Sequence, residues 1–148
     1  MAFTTKNYTG AVGRRREAVA RVRLYSAPNT KLVMNGVEAK KGDVIVNGKP
    51  INEYFNYFAY APSYNKILVE TGIAGKYIIS IKVAGGGLAG QVDAAVMGIA
   101  RALDKVDPEQ FHKKLRDSGY LTRDPRTRER RKVGNAGKAR RKKSSPKR

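Results

Sequence analysis

Residues 76–103 read "KYIISIKVAGGGLAGQVDAAVMGIARAL", and the fold turns on them. The first part alternates. Tyr77, Ile79, Ile81 and Val83 fall on one face and Ser80 and Lys82 on the other, the period of a strand. Gly85, Gly86 and Gly87 interrupt it. Beyond them Val92, Ala95, Val96, Ile99 and Leu103 stand at i, i+3, i+4, i+7 and i+11, the apolar stripe of a helix. The small residues around the stripe, Gly98 among them, predict that this helix packs closely on a sheet. Strand, tight turn and helix in succession are the pieces of an α/β domain.

The flanks extend the pattern. In "EAVARVRLY" (17–25), Ala18, Ala20, Val22 and Leu24 share one face, and Val19, Arg21, Arg23 and Tyr25 the other. That is a half-buried strand with arginines on its open face. Residues 31–51 hold two short β-branched runs. Asn35-Gly36 reads as a hairpin turn, because both residues tolerate positive φ. Asn47-Gly48 lies just before Pro50 and leads toward a short helix, "INEYFNYF". The aromatic stretch 56–66 reads as a loop or a helix end. A last helix starts at "DPEQF": Asp107 is an N-cap, Pro108 suits the first turn and Gln110 could close a capping box. Ser118-Gly119 ends that helix.

After Leu121 the apolar pattern stops and the charge changes. The chain carries 31 Lys and Arg against 12 Asp and Glu, a net charge of +19. Residues 1–120 hold 18 against 10, a net of +8, and residues 121–148 hold 13 against 2, a net of +11. The reading is therefore a body at 1–120 and a basic, extended tail at 121–148. Such a tail cannot recover its ordering entropy by burial and needs a polyanion. Extended, it would reach roughly 90 Å. There is no Cys, so disulfide and thiol chemistry are excluded, in keeping with a reducing compartment. No run approaches a membrane span, the N-terminus lacks the apolar core of a signal peptide, and the tail has no apolar face after Val133.

Catalytic candidates are few. The single His112 sits beside Lys113 and Lys114 and reads as a surface residue of a helix. No His, Cys or carboxylate cluster with metal-ligand spacing appears, and no cofactor is implied. "GIAGK" (72–76) lacks the residues of a phosphate loop and reads as a turn before the strand. Gly85, Gly86 and Gly87 leave two readings open. They could aim backbone N–H groups at a phosphate, or simply permit a sharp turn and close helix–sheet contact. Arg14, Arg15 and Arg16, with Arg21 and Arg23, read as phosphate contacts, for which planar bidentate guanidinium groups are suited.

These blocks resemble the ribosomal protein S9 (uS9) family of the small subunit, in its bacterial or organellar branch. The residues that carry the likeness are "GRRREAVARVRL", "VNGKPINEYF", "GGGLAGQVDAAVMGIARAL", "SGYLTRDPRTRERRKVG" and the closing "KARR…KR". The resemblance implies a two-layer α/β fold of the ribosomal protein S5 domain 2-like type with a long basic tail, and no enzymatic activity or small-molecule substrate. It implies a place in the ribosome, in the cytoplasm or an organelle's stroma or matrix. The body would dock on the 3′ domain of small-subunit rRNA in the head, beside neighbouring head proteins. Arg14, Arg15, Arg16, Arg21, Arg23, Arg123, Arg126, Arg128, Arg130, Arg131, Lys132, Lys138, Arg140, Arg141, Lys142 and Lys143 would hold rRNA phosphates. Lys147 and Arg148 would touch the P-site tRNA backbone. The tail departs from the family at Val133, where a Tyr is usual, and at Ser144-Ser145-Pro146, where an aromatic and a Ser are usual.

Two rivals make different demands. A free nucleic-acid chaperone would bind any polyanion and would leave the block from Gly85 to Arg101 without a purpose. A nucleotide-handling enzyme would need a catalytic group near 85–91, where Asp93 is the one candidate.

Overall fold

The computed structural model describes residues 8–26, 32–34 and 37–141. Strands β1 (Tyr8–Arg15) and β2 (Ala18–Tyr25) form a hairpin, β3 (Leu32–Met34) and β4 (Val37–Ala39) a separate two-stranded arm, and β5 (Val44–Val46) and β6 (Lys49–Pro50) another hairpin. Helix α1 (Ile51–Tyr54), a 3-10 turn at Phe58–Tyr60 and α2 (Ala61–Glu70) lead to β7 (Ile78–Ala84). Helices α3 (Leu88–Val106) and α4 (Pro108–Asp117) follow. The main sheet runs β1-β2-β7-β5-β6, and only the β5–β7 pair is parallel. The result is a mixed five-stranded sheet with helices, an α/β fold.

The register aligns one apolar face across the sheet. Ala11 pairs with Val22, Val22 with Ile81, and Ile81 with Val46, and all four are buried. Helix α3 lies on this face with Val92, Ala95, Ile99 and Leu103 buried, the residues its period selects. Its approach to β1 depends on missing side chains. A Cβ at Gly13 would stand 1.9 Å from the Ala94 carbonyl oxygen and 2.5 Å from the Gly98 nitrogen. A Cβ at Gly98 would stand 2.6 Å from Val22 Cγ2. Backbone therefore meets backbone, and α3 can reach the edge of the sheet. There Arg101 Nη1 donates to the Val12 carbonyl at 3.1 Å and Lys105 Nζ to that of Gly10 at 3.1 Å. Two cations from α3 thus occupy carbonyls on the outer edge of β1.

Several expectations change in the structure. β1 does not stand out in the sequence, because Gly10, Gly13 and the arginines hide its alternation. The stretch 56–66 contains the 3-10 turn and the first half of α2. Helix α2 buries only Tyr64 and Ile67, and Pro62 sits in its first turn, so its helical period is faint. Asn47 (φ 49°) and Gly48 (φ 84°) make the β5–β6 hairpin turn before α1 begins. The Asn35-Gly36 turn lies outside the described residues, and Met34 and Val37 on either side of it are paired. The Asp107 carboxylate accepts from Gln110 N–H at 3.1 Å, as a cap should. The capping box does not close, because the Asp107 N–H donates to the Leu103 carbonyl at the end of α3. Gly119 (φ 76°) ends α4, with Tyr120 N–H on the Leu115 carbonyl and Gly119 N–H on that of Arg116. Gly72 (φ 63°) ends α2 the same way, which accounts for "GIAGK" as a turn.

The Gly13–Gly98 contact yields a test. Gly13→Ala forces Cβ into backbone and is expected to cost about 2 kcal/mol or more, lowering Tm by roughly 5 °C. Gly87→Ala, with open space and an ordinary φ of −100° at the N-cap of α3, should cost only about 0.5–1 kcal/mol. Thermal unfolding followed by circular dichroism decides, and equal Tm values for the two variants would remove the contact from its central place.

Candidate nucleic-acid interface

The face of the sheet opposite α3 is divided. Toward β5 it is apolar: Ala39, Ile45 and Ile78 are buried together, with Tyr25 against them. Toward β1 it is open and cationic. Arg14, Arg21 and Arg23 are exposed there with Lys82. The register sets Arg21 directly opposite Lys82, and Arg23 opposite Gly10 and Ser80. Like charges so placed repel each other. Among the described residues none of these four forms an ion pair. The Arg23 guanidinium lies over the Tyr8 ring at 4.8 Å, a cation–π contact.

The three consecutive arginines have separate placements. Arg14 points to the open face. Arg16, at φ 51°, stands at the tip of the two-residue β1–β2 turn and is exposed. Arg15 turns inward, with its side chain 15% exposed. Its Nε lies 3.4 Å from Asp93, its Nη2 lies 3.0 Å from Asp124, and its Nη1 donates to the Arg126 carbonyl at 3.0 Å. It fastens the start of the tail to β1 and α3. The same pairing engages Asp93, the carboxylate on which an enzymatic reading would have relied. His112 is half-exposed, and its Nδ1 is 2.7 Å from Asp104 Oδ1, tying α4 to α3.

Beyond α4 the described chain, through Arg141, forms no helix or strand. Leu121 still packs on the core. Asp124 accepts from Arg126 through the guanidinium at 2.6 and 3.0 Å and through the backbone N–H at 2.9 Å. Those bonds, with a lesser contribution from the charges of Arg126 and Arg15, hold the Asp124 carboxyl well below the usual carboxylate range against an opposing desolvation. Further on, Arg140 binds Glu129 through two bonds of 2.6 and 3.1 Å, which lowers the Glu129 pKa and raises that of Arg140. This pair closes a small loop, inside which Lys132 and Lys138 exchange a backbone bond. Arg123, Arg128, Arg130, Arg131, Lys132, Lys138 and Arg141 are exposed and form no ion pair among the described residues. Lys142, Lys143, Lys147 and Arg148 lie outside them.

The glycine triplet has a packing explanation for two of its members. Gly85 (φ 74°) and Gly86 (φ 64°) have backbone that side chains rarely adopt, and a Cβ on Gly85 would stand 2.4 Å from the Glu17 carbonyl oxygen. Gln91 Nε2 donates to the Gly85 carbonyl at 3.0 Å. Gln91 in turn accepts from Tyr54, whose hydroxyl accepts from Asn47, and Asn47 pairs with the Val83 backbone. Asn47, Tyr54 and Gln91 are thus one polar chain bracing the loop, invisible to spacing alone. Lys82 was also missed as a partner of Arg21. Its position in the strand alternation was a signal, but the pairing needed the register.

A cationic sheet face and a cationic tail on a mixed sheet with helices define a basic α/β protein. The family described as ribosomal protein S9/S16 matches residues 13–148. Small ribosomal subunit protein uS9 of Synechocystis is 46% identical over 82% of this chain and 80% of its own length. The uS9 proteins of Trichormus variabilis (46%, covering 82% and 79%) and Maridesulfovibrio salexigens (40%, covering 90% and 92%) are similar too. The chain belongs to this ribosomal protein family, as a structural and non-enzymatic constituent of the small subunit in translation.

The Arg15 fastening is testable by proteolysis. Asp124→Asn should speed tryptic cleavage at Arg126 and Arg128 severalfold while Tm of the body stays within about 2 °C. The sign with pH follows from the depressed carboxyl. The fastening is complete above about pH 4, the ordinary Asp range, and is lost as pH falls through the lower folded-state value. An acid-stable protease should therefore cut the segment after Leu121 progressively faster below that range. A flat rate down to the lowest pH at which the body stays folded would contradict the assignment.

Proposed function

We propose that the body docks on the 3′ domain of small-subunit rRNA in the head, beside other head proteins, and that the tail runs on to the P-site tRNA. One observation carries the rRNA reading: Arg21 and Lys82 face each other beside Arg14 and Arg23 with no described counter-ion. A phosphate backbone supplies the missing charge, and such contacts position a protein without reading sequence. Arg16 extends the surface at the hairpin tip. Arg123, Arg126, Arg128, Arg130, Arg131, Lys132, Lys138, Arg140, Arg141, Lys142 and Lys143 continue it, with Arg126 and Arg140 exchanging their carboxylates for phosphates on docking. Arg15 contributes by setting where the tail leaves the body. Gly87 and the first N–H groups of α3 complete a phosphate cradle whose turn is made by Gly85 and Gly86. The mixed sheet with α3 on one face supports the S5 domain 2-like fold, with 1–120 as body and 121–148 as tail. Lys147 and Arg148 place charge on the tRNA backbone, a reading that rests on the family resemblance.

Two measurements test this. Replacing Arg21 and Arg23 together by Gln should flatten the slope of log affinity for 3′-domain rRNA against log salt by about 0.7–0.9 per cation removed. An unchanged slope would clear that face of phosphate contact. Deleting Lys147 and Arg148 should leave the protein in the salt-washed small-subunit peak and weaken P-site tRNA retention. Equal tRNA retention at every Mg²⁺ and salt level would remove the tip from the site.

A further inference from the structure

The open sheet face carries more than charge. Tyr8 is 43% exposed and Val12 40% exposed, on the same face as the arginines. Tyr8 lies opposite Tyr25 with ring centroids 5.7 Å apart, and Arg23 covers one side of its ring. Gly10, opposite Arg23, adds no side chain, and the edge of the Tyr8 ring lies over it. Beside them a shallow groove of about 530 Å³ wraps the edge of β1 and is lined by Tyr8, Arg21, Arg23, Arg101 and Lys105. The groove's one acid, Asp104, is held by His112.

An A-form duplex offers such a surface its backbone and keeps its bases stacked away, so exposed rings would add nothing there. Unpaired RNA offers both parts: bases stack on aromatic and guanidinium planes, and phosphates reach the cations beside them. Same-face residues two apart on a strand are roughly 7 Å apart. Tyr25, Arg23 and Arg21 therefore form an ordered row, aromatic at one end and cationic at the other, with Tyr8 and Lys82 flanking it.

We propose that the Tyr8–Arg23 face is a stacking platform for an unpaired RNA nucleotide, with Arg21 and Lys82 on the adjoining phosphates. This rests on the phosphate-binding reading of the same face and adds the strandedness of its target. The chain has no Trp, so Tyr8→Trp in the full-length protein introduces a single reporter. The probes are an oligoadenylate, an abasic oligomer of equal charge and an RNA duplex, all at elevated salt.

Oligoadenylate should quench the indole emission of the Tyr8→Trp variant saturably, and the abasic oligomer and duplex should not. Tyr8→Ala should weaken oligoadenylate binding at least about fivefold and leave abasic binding unchanged, with Tyr8→Phe close to the parent. Circular dichroism of each variant checks the fold. Equal quenching by abasic and adenylate oligomers, or equal losses on both with Tyr8→Ala, would overturn the platform. So would emission that responds to added small-subunit proteins and not to RNA. Arg21→Gln separates the two readings. If it weakens all three probes while Tyr8→Ala changes none, stacking alone fails. If it weakens none, the phosphate reading fails first.

Discussion

Strand β1 and helix α3 meet backbone to backbone. Gly13 on β1 and Gly98 on α3 leave no room for a side chain, and this sets how far α3 can settle over the sheet's outer hairpin. From that depth Arg101 and Lys105 reach the edge of β1, and Asp93, one turn before the contact, comes within range of Arg15. Arg15 then meets Asp124 and the Arg126 carbonyl, so the start of the tail is placed by the same contact. The core, the edge and the tail root share one geometric condition. Dispersion and burial fill in around it, but they tolerate small volume changes better than a backbone collision does.

Charge is organised on this frame in two ways. Where an acid is near, the cation is spent inside the protein: Arg15 on Asp93 and Asp124, Arg126 on Asp124, Arg140 on Glu129. Elsewhere cations are grouped without a partner among the described residues, on the sheet face and along the tail. The first group gives the free protein local order. The second carries like-charge repulsion that no described acid relieves.

The sequence made the centre of the fold legible and its margins less so. The β7–α3 unit and β2 follow from strict periods because each buries one full face, and α4 follows from the residues that start and stop it, Asp107, Pro108 and Gly119. β1 escaped because the feature that matters in it is an absence, a glycine where α3 comes close. α2 escaped because two buried side chains in ten residues leave little period to find. The cationic surface was legible from composition, since solvated charge needs no partner to be recognised. The inward turn of Arg15 was not: its acids lie far away in the chain, and a run of three arginines looks uniform until the fold separates them. The bracing of the glycine loop by Asn47, Tyr54 and Gln91 was hidden for the same reason.

The occupied edge of β1 has a bearing on the protein before it meets RNA. A strand at the end of a sheet normally offers carbonyls and N–H groups to a second copy of the same strand. Here two carbonyls are already taken, and the groups that take them carry positive charge, as would those of the incoming copy. A second copy offering the same strand would meet two occupied carbonyls and like charge there. The helix that builds the core thus also covers part of the sheet's open edge.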